Sequence, residues 1–231
     1  MKYLKNTNRI DHLITVYGDF PVLQGDVTKT ENGFEYKNET VSVKSVFEEH
    51  KSGLVSRKDV ITNVSDRTIT LTKALSKFTL NGGEIEVYTQ FTEWCEESQG
   101  CWEKLETEIS ARNDEFRSNS NASPFFGVYN EQNQRGLAFH IMCNGAWSYK
   151  VRKYFLAKNG YQRRCDVELG LCCDNFLYEL KSGESLELPE ILYYEFKNKV
   201  DLDAYKLHRY ANERFPAKEF PIIYNTWMSH F

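Results

Sequence analysis

Two-residue alternation of apolar and polar side chains recurs along most of this chain. It runs through Ile69–Leu71, Ile85–Val87–Thr89–Phe91, Leu137–Phe139–Ile141, Trp147–Tyr149–Val151 and Phe176–Tyr178–Leu180. Successive side chains of a strand point to opposite faces, so this period buries one face of a sheet and wets the other. Turn-forming residues separate the runs at Asn63–Asp66, Asn81–Gly83, Asn130–Gly136, Lys158–Gly160 and Lys181–Gly183. Asn144–Gly145 reads as one more hairpin turn. Short strands at such spacing, divided by such turns, predict an all-β fold, a large antiparallel sandwich.

One stretch near the C-terminus reads instead as a helix. Asp201 is its candidate cap, Ala204, Leu207 and Ala211 share a face, and Pro216 ends it. The expected layout is a β-domain over residues 1–198, a linker helix over 199–219 and a further strand over 220–231. That last segment, FPIIYNTWMSHF, joins an apolar run to Asn225, Thr226 and Trp227. An apolar strand needs neighbours for its backbone and for both faces. It either docks on the sandwich edge or opens a further domain, and the abrupt end of the chain fits the second.

Composition bounds the function classes. With 231 residues, 41% of them hydrophobic, the chain can bury a substantial core. A net charge of -4 supplies no electrostatic attraction for nucleic acid or for an anionic membrane, and neither is an expected partner. MKYLKNTNRID has no apolar signal region, and no run approaches the length of a membrane span. The six cysteines, Cys95, Cys101, Cys143, Cys165, Cys172 and Cys173, form no CxxC pair and no zinc spacing. They read as free thiols of a cytoplasmic protein. His12, His50, His140, His208 and His230 make no HxH or HExxH spacing, and neither a GxSxG elbow nor a phosphate-cradling glycine loop occurs. No cofactor and no metal site are expected.

Residues 91–105, FTEWCEESQGCWEKL, are the most unusual segment. Trp94 and Trp102 bracket a stretch read as a polar loop, with Glu96, Glu97, Ser98 and Gly100. A tryptophan face stacks on the apolar face of a sugar ring while carboxylates accept its hydroxyl hydrogen bonds. The plainer reading has both rings capping the sandwich and the glutamates in water. SNSNASPFFGVYN, residues 118–130, reads as a surface loop entering a strand at Pro124. His140, on an expected central strand, is the one histidine suited to act with a carboxylate on a concave sheet, and packing in the core is the plainer reading for it.

Several stretches, taken in order, resemble the N-terminal β-domain of family 36 glycoside hydrolases, the α-galactosidase family. They are LVSRKDVITNVSDRTITLTKALS, YTQFTEWCEE, SNSNASPFFGVY, RGLAFHIMCNGAWSYKV, LPEILYYEF with the helix LHRYANERF, and FPIIYNTWMSHF. The resemblance implies a β-supersandwich of the kind seen in galactose mutarotases, with a linker helix and the first strand of a (β/α)8 barrel. It implies that the catalytic aspartates lie on later barrel strands, so no catalytic residue is expected within residues 1–231. It implies that Trp227 lines a galactose pocket and that Trp94 reaches over the same pocket from the sandwich. Met228 stands where an acidic residue is common in the family. The domain would support the barrel, assist assembly of a homo-oligomer and wall one side of a pocket for an α-galactoside or related oligosaccharide. The alternative from another class is a free-standing, lectin-like sandwich with Trp94 and Trp102 as its platform. A third is a mutarotase-like epimerase using His140.

Overall fold

The structure, a computed structural model, describes residues 12–18, 26–93, 96–114, 122–156 and 162–216. Among them are sixteen strands and one helix. The strands are β1 His12–Val16, β2 Asp26–Thr30, β3 Gly33–Lys37, β4 Val41–Glu49, β5 Val55–Asn63, β6 Ile69–Asn81, β7 Ile85–Glu93 and β8 Glu96–Lys104. They continue with β9 Glu108–Asn113, β10 Phe125–Asn130, β11 Arg135–Met142, β12 Trp147–Leu156, β13 Gln162–Leu171, β14 Tyr178–Leu180, β15 Ser185–Glu187 and β16 Glu190–Phe196. The helix, α1, spans Tyr205–Arg214. None of the described helical residues forms a segment long and apolar enough to cross a membrane.

The strands form two antiparallel sheets. The small sheet has the order β1-β6-β13-β12-β9, with β14 also pairing β6. The large sheet has the order β2-β3-β4-β5-β16-β11-β10-β7-β8, with β15 on β5. The expected large sandwich is therefore present, but its turns do something the sequence does not announce. Asn144–Gly145 is not a hairpin: it carries the chain from β11 in the large sheet to β12 in the small one. Asn63–Asp66, Asn81–Gly83 and Lys181–Gly183 also change sheets, whereas Asn130–Gly136 joins the direct partners β10 and β11. A turn signal marks a reversal and leaves open which layer the next strand enters. Asn63 shows how such a corner is closed. Its buried amide donates to the carbonyls of Arg67 at 2.7 Å and Leu180 at 2.8 Å, tying the turn to the end of β14.

The inward positions of the alternation make the core. Trp147, Tyr149, Val151 and Val167 of the small sheet meet Phe126, Phe139, Ile141 and Tyr193 of the large one. Phe126 and Tyr149 stack with centroids 4.0 Å apart. A second apolar cluster gathers Ile14, Val41, Val43, Ile61, Leu71 and Leu180. Between the two lies a buried charged knot, because β5 points Arg57 and Asp59 inward along with Val55 and Ile61. Arg57 Nε is 2.9 Å from Asp59 Oδ2, and its Nη1 donates to the Lys77 carbonyl at 2.8 Å. The hydroxyls of Ser45 and Ser76 donate to the two oxygens of Asp59. His12 Nε2 stands 3.3 Å from Asp59 Oδ1 and 3.0 Å from Arg57 Nη2. Burial alone would raise the Asp59 carboxyl, but Arg57 and His12 outweigh it and hold the group well below the usual carboxylate range.

The other face of the large sheet is covered in part by the linker and α1. Leu54, Tyr129, Ala138, Leu192, Tyr194 and Phe196 pack beneath Leu202 and Tyr210. The helix starts later than the sequence suggests. Asp201 Oδ1 accepts from the Asp203 amide at 3.0 Å, and its carbonyl accepts from Ala204 N at 2.9 Å. Asp201 therefore shapes a turn ahead of the helix, and Ala204 takes the cap position with no side-chain bond. Tyr210 is the residue α1 buries, with Leu207 beside it.

Candidate functional site

The hairpin of β7 and β8 carries the segment singled out in the sequence. The stretch between Trp94 and Trp102 reads in sequence as a polar loop, but Glu96–Lys104 is a strand that pairs with β7 and sets Trp102 opposite Tyr88. As the last strand of its sheet, β8 is paired along one side only among the described residues. Gly100 is required there, since a Cβ would collide with the Tyr88 ring.

Trp102 is half-buried among Tyr88, Tyr129 and Phe196, with centroids 5.4, 6.1 and 6.2 Å away. Its Nε1 donates to the Lys199 carbonyl at 3.3 Å. Lys199 Nζ lies 5.0 Å from the Trp102 centroid and 5.1 Å from that of Tyr129, while pairing with Glu86 and Glu131. Trp102 thus caps the outer face of the large sheet and fastens the hairpin to the linker, so it is no open platform. Trp94 and Trp227, the two expected sugar-contacting residues, lie outside the described residues.

The constellation that the fold does assemble lies at the C-terminal end of α1. His140 is on the central strand β11, but it does not enter the core between the sheets. Leu137, Phe139 and Ile141 point there, and His140 shares the opposite face with Ala138 and Met142. Met142 pairs with Glu190 and His140 with Leu192 on β16, so Glu190 is the diagonal neighbour of His140 on this outer face. Arg214, in the last turn of α1, donates to Glu190 at 2.8 Å and also to the Tyr210 hydroxyl. Lys58 Nζ is 3.7 Å from the same carboxylate.

His140 Nδ1 is buried without a hydrogen-bond partner among the described residues. Burial holds its pKa below the ordinary histidine value, which keeps the ring neutral. A cleft of about 630 Å³ opens here, with Ser123, His140, Asn144, Glu190, Arg214 and Phe215 in its lining. A second cleft of about 720 Å³ continues past Glu190 towards Lys44 and Lys58.

Glu190 is engaged by two cations, Arg214 at Oε2 and Lys58 at Oε1. No group of three or more His, Cys, Asp or Glu able to hold a metal occurs among the described residues. Sequence reasoning found His140 but missed Glu190 and Arg214. The available signal was period two: Glu190, Leu192 and Tyr194 share one face, so whatever faces Glu190 faces His140. The charged knot had a similar signal, namely Arg57 and Asp59 at alternating positions between Val55 and Ile61.

No family model matches the chain, and no curated protein does. Solved structures do. The galactosidase domain of the α-galactosidase–sucrose kinase AgaSK superposes with a TM-score of 0.67 at 18% identity, over 85% of this chain and 28% of that one. The α-galactosidase of Lactobacillus brevis gives 0.70 at 14% identity, over 93% and 30%. A variant of the GH36 α-galactosidase AgaA of Geobacillus stearothermophilus, in complex with 1-deoxygalactonojirimycin, gives 0.68 at 16% identity, over 87% and 29%. The chain spans less than a third of the length of these proteins, and over that span it has their fold.

Proposed function

We propose that this chain is the N-terminal, non-catalytic β-supersandwich of a retaining, α-galactosidase-like glycoside hydrolase of family 36. The observation that carries the proposal is the fold match over 85–93% of this chain to 28–30% of several α-galactosidases, at TM-scores of 0.67–0.70. The ordered motifs of the sequence support it independently. Residues 1–198 form the sandwich, 199–219 the linker helix and 220–231 the first strand of a barrel. The domain supports that barrel, takes part in assembly of a homo-oligomer and contributes Trp94 to a pocket that also holds Trp227. The substrate is an α-galactoside or related oligosaccharide; one structural neighbour is in complex with raffinose. The cytoplasm is the proposed compartment, consistent with the five described cysteines, Cys101, Cys143, Cys165, Cys172 and Cys173, all being free.

The lectin-like alternative loses one of its two platform rings, because Trp102 is packed beneath Lys199. The test is the coding sequence after Phe231. We expect an open frame of about 300 or more further residues with alternating strand and helix patterning. The joined product should hydrolyse an aryl α-galactoside, while residues 1–231 alone should not, since retaining hydrolysis needs two carboxyls about 5 Å apart. A stop codon directly after Phe231 would overturn the reading.

A further inference from the structure

The cleft at the end of α1 is assigned no role by the enzyme reading, and its lining is selective. The charges in its own lining cancel: Arg214 and Glu190 are paired, and Lys58, the second cation on Glu190, reaches it from the neighbouring cleft. Around that pair stand groups that exchange hydrogen bonds in both directions, the Ser123 hydroxyl, the Asn144 amide and the imidazole of His140. Beside them lies an aromatic face, Phe215, which is 62% exposed next to Pro124 and Met142. The volume of about 630 Å³ falls within the range of small-molecule clefts, roughly 300–1,000 Å³.

Hydrogen-bonding groups of both polarities, no net charge and one open ring together match one ligand chemistry: a ring that is hydroxylated at its rim and apolar on its face. We propose that this cleft binds a neutral sugar, with Phe215 stacked on the ring and Ser123, His140 and Asn144 on its hydroxyls. The groups invoked, Ser123, His140, Asn144 and Phe215, include neither Trp94 nor Trp227. Residues 1–231 carry every group invoked, so this binding can fail while the enzyme reading stands, and the reverse.

The test is a titration of isotopically labelled residues 1–231 with galactose and with raffinose, followed by amide NMR. We expect saturable shifts confined to residues 140–144, 190 and 214–215, with a dissociation constant on the order of 1–10 mM. Phe215→Ala, at an exposed position that the fold does not need, should weaken binding by about fivefold or more. His140→Gln should weaken it too, and if that variant does not fold, Phe215→Ala decides alone. Galacturonate, which carries a charge, should bind more weakly than galactose. Absence of shifts, shifts centred elsewhere such as the β7–β8 hairpin, undiminished binding by the Phe215 variant, or equal binding of galacturonate would each overturn the proposal.

Discussion

An arginine, a carboxylate and a histidine meet at each face of the large sheet, with His12 supplied by β1 of the small sheet and Arg214 by α1, and the two sets differ in kind. Inside stand Arg57, Asp59 and His12, all fully buried, with both Asp59 oxygens bonded by serines and by the guanidinium between Phe47 and Phe78. Outside stand Arg214, Glu190 and His140, where the ion pair is partly wet and the histidine lines a cleft. The same residue types make a closed structural knot in one place and an open lining in the other. Burial decides between them. A charge sealed between two sheets costs several kcal/mol unless every lone pair is met, so the inner set had to close. A pair at a cleft mouth is screened by water, gains little from closure and leaves groups free for a ligand.

The sharpest way to break this comparison is Asp59→Asn. It leaves Arg57 buried and uncompensated, and we expect a loss of about 3–5 kcal/mol in urea unfolding. Replacing Arg57 and Asp59 together by Met and Leu should recover most of that loss, because the cost lies in the orphaned charge. A single-variant loss below about 1 kcal/mol would show that the knot is not sealed.

Acidification should separate the two sets with a smaller effect. Asp59 has a depressed folded pKa, so its contribution is complete above the unfolded value of about 3.9 and is lost as pH falls further. His140 is depressed as well, but from about 6.5, so its contribution is present above that pH and declines below it. Unfolding measured from pH 8 to pH 3 should therefore weaken in two stages, and His140→Gln should remove the first stage only. A variant that keeps both stages would assign the upper one to another group.

The smallest expected effect belongs to the outer pair. Arg214→Ala should cost less than about 1 kcal/mol, since Arg214 itself is solvent-exposed and Lys58 still faces the Glu190 carboxylate. A loss above about 2 kcal/mol in the same assay would make Arg214 a structural residue, like Arg57, and would erase the contrast.

Much of this architecture follows from local chemistry. Period two placed Ile85, Val87, Leu137, Phe139, Ile141, Trp147, Tyr149 and Val151 in one buried layer, and all of them are in the core. The helix was legible from Leu207 and Ala211 together with Pro216, although its first turn was not. The Asp201 carboxylate captured a nearer amide and displaced the start to Tyr205. What tertiary structure alone decided is which layer each strand joins and which distant groups meet. Alternation is the same in both sheets, so Asn144–Gly145 could not declare itself a crossover. Trp102 is fastened by Lys199, ninety-seven residues away, and Glu190 meets Arg214 only because α1 folds back over β16. Side-chain period is a property of neighbours along the chain, whereas pairing and burial depend on what long-range packing brings opposite, and no local pattern encodes that partner.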